Sequence, residues 1–340
     1  MPPESEDCAQ AIEPTCVLAR GRVQSPRGLW HPDSAFSHLA IPSLSNHRRH
    51  GNPATRSGKR CRQGATEMRI LIAADMEGVT GVVSWEQTEE SHPEYARFRR
   101  LMTGDVNAAI RGAFQGGATE VVVADGHGNN RNILIEELDP RARLNTGSPR
   151  PLSMVEGLAE GVDAALFVGY HARAGAADAI LSHTWSGKVA GLRLNGRLLG
   201  ETGLNAAVCG HFGVPVLMVS GDQAVCAEAR ELLGAIETAI VKRARGRMSA
   251  ECLPPEASQR EIQEAAQRAV MRFIAGQGPR PFQIEPPVTL EIEWTEVQMA
   301  EMAALLPGSR RTSARVVELT LPDLIEAYRA FRAAAILAAR

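Results

Sequence analysis

Residues 68–81 read MRILIAADMEGVTG. Arg69–Ala74 is a short apolar run that stops at two acids one residue apart, Asp75 and Glu77, with glycines at 78 and 81. An apolar run of that length, closed by a polar and glycine-rich turn, predicts a strand buried on both faces. The same pattern recurs at Glu120–Ala124, Ala164–Gly169 and Val214–Ser220. Between the first two runs, Leu101, Val106, Ile110, Ala113 and Phe114 recur at helical spacing. They predict a helix from Pro93 to Gln115 that stops at Gly116 and Gly117. Strand, helix, strand at this spacing implies a right-handed parallel crossover. Asn195-Gly196, between AGLRL and RLLG, predicts a tight antiparallel hairpin. The expectation is therefore an α/β fold with a mixed, mainly parallel sheet and flanking helices.

Beyond residue 225 the pattern predicts helices at 226–235, 256–275, 295–304 and 321–339, with strands at 287–293 and 311–319. Two antiparallel-capable strands separated by helices suggest a second, smaller α+β lobe, which gives domains 68–225 and 226–340 with a soft boundary. Residues 1–67 differ from both. Proline, serine, arginine and histidine dominate there, and HRRHGNPATRSGKRCRQG (47–64) has no apolar periodicity. This stretch reads as a disordered or non-native N-terminal extension. Its acidic opening (Glu4, Glu6, Asp7) argues against a transit peptide.

Composition narrows the function classes. The chain of 340 residues is 44% hydrophobic and 22% charged, which suits one or two buried cores. A formal net charge of -2 gives no pull towards nucleic acid or an anionic membrane. The six cysteines form no C-x-x-C pair, which suggests reduced thiols in a cytoplasmic setting and disfavours cysteine-ligated zinc. No apolar run approaches the roughly 20 residues that span a bilayer. The chain reads as soluble.

In open α/β sheets, ligands gather beyond the carboxyl ends of the strands. Asp75 and Glu77 follow the first strand, Asp125 and His127 the second (ADGHGNN), and His171 the third (GYHARA). LSHTW then supplies Ser182 and His183, and LGETGLN supplies Glu201 and Asn205. Asp75, Glu77, His127, His171 and Glu201 are the imidazole and carboxylate types that bind zinc or similar divalent metals. Asp75 and Glu77, two apart, project to one side of an extended backbone and can reach one metal or two neighbouring ones. Taken singly, each has a plainer reading as a helix cap or a solvated turn residue. His92 and His211 are left to that plainer reading, and Asp222 in SGDQA is ambiguous between a cap and a site residue.

Two families share the opening motif. A strand ending in Asp-x-acid-Gly resembles the haloacid-dehalogenase phosphatases, in which Asp75 would be an aspartyl nucleophile beside magnesium and Asp222 a late acidic residue. Glu77 in place of a second Asp, and Cys226 in place of a further one, depart from that pattern. The second resemblance spans Met68 almost to the C-terminus. ADMEGVTG, RRLMTGDVNAAIRGAFQGGATEVVVADGHGNNRN, PLSMVEGL, LFVGYHARAG, SHTW, GETGLNAAV and VPVLMVSGD occur in order. Together they are similar to the DppA-type D-aminopeptidases.

That resemblance implies a binuclear zinc peptidase that removes N-terminal D-amino acids from short peptides such as D-Ala-D-Ala. Asp75 would be the bridging carboxylate, Glu77, His127, His171 and Glu201 the other ligands of two ions, and His183 the catalytic residue that is not a ligand. It also implies a homo-oligomer, a decameric ring enclosing the active sites. Two closely spaced metals would activate a water and polarise the scissile carbonyl, with His183 moving a proton or steadying the oxyanion. Thr184-Trp185 after the catalytic-type histidine departs from the family pattern and bears on substrate preference. A third reading is a metal-dependent peptide-binding protein without catalysis.

Overall fold

The computed structural model describes residues 67–339, so the expectation for 1–67 lies almost wholly outside the described residues. Seven strands form the first sheet: β1 (Arg69–Ala74), β2 (Glu120–Asp125), β3 (Ala142–Asn145), β4 (Ala164–Tyr170), β7 (Val216–Asp222), β8 (Glu237–Gly246) and β9 (Ser249–Cys252). They lie in the order β3-β2-β1-β4-β7-β8-β9. Every neighbouring pair is parallel except β8 with β9. The mixed, mainly parallel α/β sheet is the one the sequence pattern predicts.

Alternation along β1 shows why the run is apolar throughout. Ile70, Ile72 and Ala74 pack on one face with α1 (Tyr95–Gln115) and α4 (Pro255–Ile274). Leu71 and Ala73 pack on the other face, in a core shared with α2 (Glu201–His211), α3 (Gln223–Leu233) and α6 (Leu324–Ala338). A strand covered on both sides has no polar face.

The second sheet is antiparallel, in the order β11-β12-β10-β5-β6. It is built from β5 (Val189–Leu194), β6 (Arg197–Leu199), β10 (Val288–Trp294), β11 (Arg310–Arg311) and β12 (Val316–Leu321). Asn195 and Gly196, both at positive φ, make the β5–β6 turn as Asn-Gly predicts. The hairpin pairs with β10, not with the parallel sheet. Sequence position 225 therefore does not separate the sheets. β5 and β6 reach forward into the second, while β8, β9 and α4 return to the first, because α4 packs against α1 and buries Ile262, Ala265, Ala266 and Val270 there. The sequence pattern missed three strands, β3 at the sheet edge and β8 and β9 in residues 237–252. The single strand expected at 311–319 is two, β11 and β12, joined by a turn in which Thr312 N–H donates to Val316 O.

The chain order places β1 between β2 on one side and β4 on the other. Successive crossovers leave β1 in opposite directions, and the carboxyl end of such a strand is where a crevice opens. Among the described residues no helix is long and apolar enough to cross a membrane.

Candidate metal centre

Asp75 and Glu77 leave the end of β1 in a loop whose course is tightly held. Asp75 N–H donates to Val168 O and Gly78 N–H to Gly169 O, both 2.8 Å, which ties the loop to β4. Only glycine fits at 78, since a Cβ there would lie 1.8 Å from Tyr170 O. On its other flank the loop receives the ammonium of Lys242. Its Nζ donates to Glu77 O (2.6 Å), Val79 O (2.9 Å) and Val82 O (2.6 Å). Thr80 donates from both its N–H and its hydroxyl to buried Asp105 on α1. Burial pulls the Lys242 ammonium down to about 8 and pushes the Asp105 carboxyl up to about 6.

Neither Lys242 nor Asp105 stands out in the sequence. Lys242 follows AIV in a strand that the sequence pattern missed, and a bulge against β7 at Gly221/Asp222 turns it inward. A lysine ending an apolar run is usually solvated, and here it is 1% exposed.

Around this loop the strand-end residues converge. His127, after β2, places Nδ1 3.0 Å from Glu77 Oε2 and 3.4 Å from Asp75 Oδ1. His171, after β4, places Nε2 3.1 Å from Glu201 Oε1 and 3.4 Å from Asp75 Oδ2. Glu201 begins α2 and turns back to the same point, where its Oε1 accepts the Trp185 N–H at 2.7 Å. Because β1 lies between β2 and β4, each Asp75 oxygen faces a different imidazole.

The tautomers follow from the partners of the other ring nitrogens. His127 Nε2 lies 3.0 Å from Thr88 O, His171 Nδ1 3.1 Å from Ala172 O, and His183 Nδ1 2.8 Å from Leu181 O. A carbonyl only accepts, so each of these nitrogens carries the donated hydrogen and the remaining nitrogen points at carboxylates. Asp75 Oδ2, Glu77 Oε2 and His171 Nε2 are buried without a hydrogen-bond partner despite these short approaches. Lone pairs facing lone pairs in a buried site are relieved by protons on the imidazoles or by cations among them. Without a metal the proton fills that role. Burial opposes charge on His127 and His171, but the facing carboxylates outweigh it and hold both imidazoles well above their usual range. Burial likewise works against ionised Asp75 and Glu77, but His127 and His171 hold the Asp75 carboxyl below the usual range, and His127 and His183 do the same for Glu77.

His183 joins the cluster at longer range. Its Nε2 is 3.8 Å from Glu77 Oε1 and 3.7 Å from Glu201 Oε1. Its ring stacks on His171 (centroids 3.9 Å apart) and meets the edge of Trp85. Among the described residues, two sets of donor atoms are compact enough for an ion: Asp75, Glu77 and His171, and His171, His183 and Glu201. His183, His127, Asp75, Glu77 and Glu201 line a cavity of about 950 Å³, and His171 sits behind them.

Other strand-end candidates stay out of the cluster. Asp125 accepts Asn132 and Ile133 N–H groups and orders the loop after His127. Asn205 donates to Tyr170 Oη in the interior, and Ser182 contributes its carbonyl to Arg247. Asp222 caps α3, accepting from Ala224 and Val225 N–H, and its second oxygen accepts Ile180 N–H. Both Asp222 oxygens are therefore occupied by backbone, and Cys226 is buried facing backbone carbonyls. The phosphatase reading needed Asp222 in the site and loses that support. His92 and His211 belong to neither group of donors.

Comparison with known proteins points to one family. The profile of the D-aminopeptidase family (Peptidase M55) matches residues 68–333. A D-aminopeptidase of Bacillus subtilis (strain 168) is 37% identical over 266 residues, covering 77% of this chain and 95% of that protein. Among solved structures, the Zn-dependent D-aminopeptidase DppA from Bacillus subtilis, described as a self-compartmentalizing protease, superposes with a TM-score of 0.77. It is 36% identical, over 80% of this chain and 98% of that one.

Proposed function

From membership of the D-aminopeptidase family, to which this chain belongs, we propose that it hydrolyses N-terminal D-amino acids from short peptides such as D-Ala-D-Ala, using two zinc ions. One observation carries the reading. Imidazole nitrogens fixed by backbone carbonyls face buried carboxylates, with Asp75 Oδ2, Glu77 Oε2 and His171 Nε2 left without hydrogen-bond partners. Asp75, Glu77 and His127 would hold one ion and Asp75, His171 and Glu201 the other, with Asp75 shared. Nitrogen and oxygen donors in this mixture suit zinc. Bound divalent ions would polarise the scissile carbonyl and acidify a water to near neutral pH.

The remaining steps belong to the chain. Trp185 N–H fixes Glu201, and Thr88 and Ala172 carbonyls fix the rings of His127 and His171. His183 lines the cavity and stands further from the carboxylates than the other two imidazoles. That placement suits a group that takes a proton from the attacking water and returns it to the leaving amine, or donates to the oxyanion. Its ring needs no movement, since Leu181 O and His171 already orient it. The self-compartmentalizing description of the Bacillus relative extends here as a homo-oligomer that would limit entry to short peptides.

Purified protein incubated with D-Ala-D-Ala, L-Ala-L-Ala and a phosphate ester tests the reading. Release of D-alanine alone is expected. Phosphate release would favour the phosphatase alternative, and binding without turnover the peptide-binding one. His183→Ala is expected to keep its metal and lose about a hundredfold or more in kcat, and unchanged turnover would remove His183 from the mechanism.

Metal uptake should also be pH-dependent, with a fixed sign. The facing carboxylates hold the His127 and His171 imidazoles well above their usual range, which favours their protonated forms in the metal-free protein. Zinc must displace those protons, and its affinity rises with pH until the imidazoles lose them unaided. Calorimetric titration at pH 7 in buffers of different ionisation enthalpy should show net proton release that declines at higher pH. Zinc binding with no proton release at pH 7 would contradict the assigned ligands.

A further inference from the structure

We propose that Arg332 is a specificity-determining residue, whose guanidinium receives the free C-terminal carboxylate of a short peptide bound in the cavity. The proposal rests on the peptidase reading and adds the substrate class, peptides with an unblocked C-terminus. The cavity is large enough for a short peptide, and the charges on its walls are unevenly placed. Apart from the histidines and carboxylates of the metal centre, its lining carries Glu89 and Glu90 from the segment before α1, and Arg332 from α6. Among the described residues, Arg332 is the one Lys or Arg side chain in that lining.

Arg332 is held in place without being neutralised. Its Nη1 donates to Pro151 O at 2.6 Å, and its guanidinium carbon lies 5.6 Å from the ring centroid of Tyr328, one helical turn earlier. Tyr328 is itself anchored, because its buried hydroxyl donates to Leu152 O. Both contacts fix α6 against the segment that leads into the cavity wall at Ser153 and Met154. Among the described residues no carboxylate lies within ion-pair distance of Arg332. One nitrogen is spent on a carbonyl and the rest of the fork stays available. A pre-oriented guanidinium with unused donors matches a planar carboxylate.

The same helix face also suits the rest of a peptide. Ile336, one turn beyond Arg332, lines the cavity and is 65% exposed, an apolar surface beside the cation. Trp185 packs edge-on against Tyr328 and Phe331 while its N–H fixes Glu201. Trp185 thus links the helix that carries Arg332, through two aromatic contacts, to Glu201, through its backbone N–H. A short peptide with its scissile bond at that centre would run its carboxyl end along this wall.

The test compares D-Ala-D-Ala and D-Ala-Gly-Gly with their C-terminal amides, for the wild type and for Arg332→Met, which keeps an apolar stem against Tyr328. The wild type is expected to favour the free acid of at least one length by about ten- to a hundredfold in kcat/KM, mainly through KM. In Arg332→Met that acid-to-amide ratio should fall towards one, and Arg332→Lys should restore part of it. The ratio is insensitive to general damage, because both substrates meet the same protein. A wild type that cleaves acids and amides equally, or a ratio unchanged in Arg332→Met, overturns the proposal and leaves the peptidase reading standing. A wild type that releases D-alanine from none of the four overturns both.

Discussion

Asp75→Asn is expected to purify with little or no zinc and to lose at least about a hundredfold in D-Ala-D-Ala hydrolysis. Asparagine keeps the shape of the side chain, and the Met76 N–H that bonds Oδ1 can still find an oxygen. What is lost is the charge and the second oxygen, the two features that let one residue face His127 and His171 at once. The charge balance points the same way. Asp75, Glu77 and Glu201 are three buried carboxylates, and two protonated imidazoles offset them only in part. Two divalent ions with neutral imidazoles would reverse that deficit, and removing Asp75, the carboxylate proposed to be shared, would weaken both sites together. Outer contacts to metal ligands alone are worth about ten- to a hundredfold in affinity, so loss of a ligand should exceed that. Metal analysis of the purified variant is the check. Full zinc content with normal turnover would show that Asp75 is not a ligand.

Lys242→Met should produce the largest loss of stability among substitutions outside the centre. The ammonium satisfies three carbonyls of the loop that carries Glu77, and methionine leaves all three buried without donors. An unsatisfied buried polar group costs about 1–3 kcal/mol, and relief of the lysine's own burial offsets part of the sum. A net loss of about 2–4 kcal/mol is expected in denaturant unfolding. Zinc affinity should fall with it, because Glu77 O is one of the three carbonyls and a loosened loop no longer fixes the Glu77 side chain. Both readings are needed. Lower stability with unchanged zinc affinity would make Lys242 a fold residue only, and unchanged stability would mean that water replaces it without cost.

How much of this was legible in sequence depended on whether a signal was local. The strand at Arg69–Ala74 and the helix ending at Gln115 follow from short-range apolar patterns, and the structure places both within a residue or two of expectation. A parallel sheet collects polar groups at its strand ends, a rule that needs no contact map, and it singles out Asp75, Glu77, His127 and His171, which the structure brings together. Glu201 and His183 needed the company of neighbouring motifs. Lys242, Asp105 and Arg332 were invisible for a different reason. Each acquires its role from a partner more than 20 residues away: the loop from Glu77 to Val82, Thr80 and the Pro151 carbonyl. Asp222 shows the converse. Its motif looked chemical, and local N–H groups occupy it as a helix cap.

The assignment of the cluster as a two-ion hydrolytic centre meets its most direct test in a zinc titration of chelator-stripped protein, with D-alanine release from D-Ala-D-Ala followed at each point. Stripped protein should be inactive, and activity should rise to a plateau at two zinc ions per chain, with no release from L-Ala-L-Ala. Turnover that persists in the stripped protein, or a plateau reached with no zinc bound, would contradict it.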